Sequence, residues 1–161
     1  MAAWTFSGAL VPKDSLVKHG ITPGDSVWEY GTGIDIHGRV ERKFWLEAAP
    51  IALAKNLTGD FKAVDHWSIL AKAFSNGSVL LTAWPDSLEF AIDLRAAYAP
   101  DVIALCNFAI VSNCCFLLGV EATVYEADPE MVTQFLIASN AMIWAQKFGK
   151  SMKDFDLAGA K

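Results

Sequence analysis

The stretch from Asp101 to Gly119, Asp-Val-Ile-Ala-Leu-Cys-Asn-Phe-Ala-Ile-Val-Ser-Asn-Cys-Cys-Phe-Leu-Leu-Gly, limits the fold more than any other part of the chain. Between its two end residues it carries no charge, and only Asn107, Ser112 and Asn113 interrupt the apolar run. Wound at 3.6 residues per turn, its apolar side chains point in every direction, which places a helix inside a protein or a bilayer. A bilayer span needs at least about 17 apolar residues and favours basic flanks. This stretch is at that lower limit, is flanked by Asp101 and Glu121, and would expose two Asn and a Ser to lipid. The expectation is therefore a buried central helix at about 101–119. The competing parse makes Ser112-Asn113 a turn between two apolar strands, because periodicity alone does not separate a buried strand from a buried helix.

The rest of the chain is expected to pack on that helix. The 161 residues suit one domain, taken as 1–150, followed by a frayed tail from Ser151. The expected fold is mainly helical α+β: a small N-terminal β element with four or five helices around the central one. The N-terminal part leans to strand, with Trp4 to Val11 ending at Pro12. A short helix follows over Lys13–Gly20, then a type II turn at Thr22-Pro-Gly-Asp25. Ser26–Tyr30 and Ile34–Gly38 read as a hairpin. Helices are expected over Val40–Ala49, Pro50–Leu57, Val64–Phe74 and Pro85–Tyr98. Ser78–Trp84 is open between strand and connection, and Val120–Glu126 alternates like a short strand. The clearest helix start is Asp128-Pro129-Glu130: cap, first-turn proline, and an acid at the positive end of the dipole. That helix is expected to run to Phe148, with Gln134 in the middle of its apolar arc, where it is either a satisfied core amide or the mark of an interface.

Net charge is −5, with six Trp and ten Phe among 53% hydrophobic residues and only 19% charged. An acidic chain repels phosphate backbones, so nucleic acid is disfavoured, and the central stretch disfavours a membrane. Acidity would speed encounter with a basic protein. The three cysteines, Cys106, Cys114 and Cys115, all fall in the apolar stretch and are expected as small core residues in a reducing compartment.

Two segments resemble known families over short lengths. Val27-Trp-Glu-Tyr-Gly-Thr-Gly33 resembles the first motif of Rossmann-type methyltransferases. The resemblance implies an adenosyl cofactor held by Glu29, Gly31 and Gly33, although Asp35 stands where a small residue is usual and a strand-like alternation follows. The plainer reading is a glycine hairpin loop. Ala9 to Val27, with its Pro-Gly-Asp turn, is similar to AbrB-type DNA-binding hairpins. That family uses basic side chains, and here only Lys13, Lys18, Arg39, Arg42 and Lys43 are available. His19, His37 and His66 lack the spacing of a helical metal site, and no P-loop, Ser–His–acid or paired-cysteine motif occurs.

Without a catalytic constellation, the functional expectation is a non-catalytic protein-binding module of the cytoplasm: an acidic adaptor, inhibitor or immunity-type protein of bacterial or phage kind. Trp28, Trp45, Trp144 and Gln134 are its candidate contact residues, and no cofactor or metal is expected. The expected partner is another protein, a basic one by charge, with a second copy of the chain as the other reading.

Overall fold

The computed structural model describes residues 5–27, 62–64, 69–74, 79–84, 87–95, 99–119 and 122–147. These residues build an antiparallel sheet with helices laid on it, rather than helices around a central rod. The described residues include seven strands: β1 (Thr5–Pro12), β2 (Lys62–Val64), β3 (Ile69–Phe74), β4 (Val79–Ala83), β5 (Leu88–Asp93), β6 (Cys114–Leu118) and β7 (Thr123–Tyr125). Their order is β2-β3-β4-β5-β1-β6-β7, so the first strand lies between the fifth and the sixth. The described helices are α1 (Lys13–Lys18), α2 (Ala99–Val111), α3 (Pro129–Ala138) and α4 (Asn140–Lys147).

The expected central helix is thus two elements. Its first half is α2, and its second half is β6. Asn113 makes the change of direction with φ 51°, a left-handed conformation that Asn tolerates better than most residues. Its amide donates to Ile110 O, ending the helix, and its carbonyl accepts from Lys13 N at the start of α1. The helix is also not buried all round. Val102, Leu105, Cys106, Phe108 and Ala109 are buried, while Asn107, Ile110 and Val111 face solvent.

Two further expected helices are strands. Pro85–Tyr98 contains β5, and its alternation is plain once the strand is known. Leu88, Phe90 and Ile92 are buried on one face, whereas Glu89, Ala91 and Asp93 are only half-buried on the other. Val64–Phe74 spans the end of β2 and all of β3, which pair with each other antiparallel. The undecided Ser78–Trp84 contains β4. The strand ending at Pro12, the helix after it, the type II turn and the strand within Val120–Glu126 form as read. Gly24 has φ 97° and Asp25 N donates to Thr22 O. The expected elements at 34–57 and the tail from Ser151 lie outside the described residues.

One apolar layer lies between the sheet and α2, α3 and α4. Phe6 and Leu10 of β1, Leu81 of β4, Leu88, Phe90 and Ile92 of β5, and Phe116 and Leu118 of β6 all point into it. A smaller layer on the opposite face joins Ala9, Val11, Cys115, Leu117 and Val124 to Leu16 of α1 and Val27. β6 is consequently buried on both faces, which explains its unbroken apolar run. The segment before Val27 also covers the outer edge of β7. Gly24 N donates to Val124 O, Val124 N to Asp25 O and Val27 N to Ala122 O. Covering an edge removes the unpaired amides that invite another chain.

Gly8 makes close packing possible at the middle of the sheet. A Cβ there would lie 2.7 Å from Leu117 O, 2.7 Å from Phe90 Cζ and 2.9 Å from Leu118 Cδ2. The Phe90 ring uses that space to meet Phe116 edge-on, with centroids 5.4 Å apart. Because the nearest group includes backbone, relaxation is limited. Gly8→Ala should destabilise the fold by about 1–3 kcal/mol, visible as a lower urea midpoint at unchanged slope.

Candidate functional site

The surface of α3 and α4 exposes large apolar side chains where a solvated face is ordinarily polar. Asp128 caps α3, its carboxylate accepting from Glu130 N at 2.8 Å and Met131 N at 3.3 Å. Val132 and Leu136 turn inward, and Phe135 packs edge-on against Phe6 and Tyr125 at 5.8 Å and 5.4 Å. The single helix expected to Phe148 is broken at Ser139. That residue is extended (ψ 149°), its hydroxyl donates to Leu136 O at 2.6 Å, and it accepts from Met142 N at 3.2 Å. Serine competes with helical backbone bonding in this way and readily caps a new helix. Met142 and Ala145 of α4 then complete the core.

Exposed residues lie on both sides of that break. On α3 they are Gln134, Ile137 and Ala138, and on α4 Asn140, Ile143, Trp144 and Gln146. Ile137 is 53%, Ile143 58% and Trp144 41% exposed. From Met131 through Gln146 the sequence has no charged residue. The expected core amide, Gln134, is therefore a surface residue. The wide apolar arc that seemed to enclose it serves two purposes: part is core and part faces solvent. Of the other expected contact residues, Trp144 is on this surface, and Trp28 and Trp45 lie outside the described residues. Ile137 and Ile143 were missed, since apolar periodicity marks both inward and outward positions when a helix pair is apolar on two sides.

On the face of the sheet opposite α2, α3 and α4 lies an open hollow of about 420 Å³, lined by small residues including Ser7, Ala9, Ala91, Gly119 and Ala122. Thr82, Glu89, Ala9 and Leu117 form one cross-strand row through it. Ser87 Oγ donates to Glu89 at 3.4 Å, and Ser7 and Glu89 both have further interactions. Among the described residues no group of three or more His, Cys, Asp or Glu could hold a metal ion. His19 is exposed, its Nδ1 2.8 Å from Ser15 O at the end of α1; His37 and His66 lie outside the described residues.

Compared with known proteins, the chain matches no family model, no curated protein and no solved structure.

Glu29, Gly31 and Gly33 also lie outside the described residues. The doubly wound fold implied by the methyltransferase resemblance rests on a parallel sheet, however, and every described strand pairing is antiparallel. Of the basic side chains that the AbrB resemblance would use, Lys13 is committed to an ion pair with Glu126, which raises its pKa. No described helix is long and apolar enough to cross a membrane.

The three thiols are free and buried. Loss of hydration pushes Cys106 and Cys114 up to about 12 and Cys115 to about 11. Thiolate is the reactive form, so at pH 8 labelling by a water-soluble disulfide reagent should follow global unfolding. Fast labelling of even one thiol in the native protein would contradict this burial. Asp25 accepts from Thr22 N and Oγ1 at 2.7 Å and 2.9 Å, which holds its carboxyl below the ordinary value. A depressed native pKa adds stability that is complete above the unfolded value of about 3.9 and is lost as pH falls through the native one. Asp25→Ala should therefore lower the melting temperature at pH 7, and melts at decreasing pH should show the difference closing.

Proposed function

We propose that this chain is a non-catalytic protein-binding module of the cytoplasm, acting through the α3–α4 face as an adaptor, inhibitor or immunity-type protein. One observation carries the reading: Ile137, Ile143 and Trp144 are all exposed on a helix pair whose inward residues already satisfy the core. An isolated exposed apolar residue needs no explanation, but a grouped set with an aromatic marks a contact surface. Buried tryptophans are also frequent anchors of binding energy. The three free, buried thiols agree with a reducing compartment.

The test is affinity purification of the full tagged chain from its host, with wild type beside Ile143→Glu and Trp144→Ala. Loss of an interface anchor typically costs more than about 1.4 kcal/mol, or tenfold in affinity. The wild type should retain a stoichiometric protein, or a second copy of itself, that both variants lose while melting normally. Equal retention by all three, or a wild type that is alone and strictly monomeric, would refute the proposal.

A further inference from the structure

We draw no further inference here: the strongest candidate, the open hollow of about 420 Å³ on the sheet face opposite α2, α3 and α4, is floored by small side chains, and its charged lining residue, Glu89, is only half-buried and already has interactions of its own, so nothing in the structure shows what would occupy it.

Discussion

The ring of Phe90 occupies the space left by the missing side chain of Gly8, and the packing of both layers follows from that fit. β5, β1 and β6 lie side by side there, each contributing to one contact: Phe90 from the first, the bare backbone of Gly8 from the second, Phe116 and Leu118 from the third. From Phe90 the aromatic contacts continue through Phe6 (6.3 Å) and Phe135 to Tyr125. Each such pair adds about 0.5–1.5 kcal/mol beyond the burial of its area. The series couples the middle of the sheet to α3, and hence fixes the helix whose outer side is the candidate contact surface.

Legibility in the sequence depended on whether a signal was local. Asp128-Pro129-Glu130 and Thr22-Pro-Gly-Asp25 encode a helix start and a turn through their own backbone needs, and both formed. The errors came where tertiary burial set the pattern. β6 is covered on two sides, so Cys114 to Leu118 loses the alternation that would mark a strand, and it merges with the apolar residues of α2. β5 does alternate, but its outer face includes Ala91, and alanine-rich neighbours gave it a helical composition. A single Asn with positive φ separated the two halves of the expected central helix. Of the proposed contact surface, Trp144 was legible as an aromatic near the end of an apolar helix. Ile137 and Ile143 were not, because only the break at Ser139 decides which way each turns.

The described ion pairs lie outside the uncharged stretch from Met131 to Gln146. Lys13 with Glu126, and Asp93 with Arg95, form ion pairs at the periphery of the described structure. Surface pairs of that kind contribute little to stability. The described exposed residues from Gln134 to Gln146 carry no charge, so the groups offered there are apolar or amide.

β1 is made first and is needed last. Its neighbours in the finished sheet are β5 and β6, with Ala9 opposite both Glu89 and Leu117. Without it, β2 to β5 and β6 to β7 are two separate ribbons with no strand in common. Synthesis thus exposes the keystone long before the stones it joins, and the sheet closes only once β6 has left the ribosome. Pairings so distant in sequence carry a large loop-closure cost and slow folding.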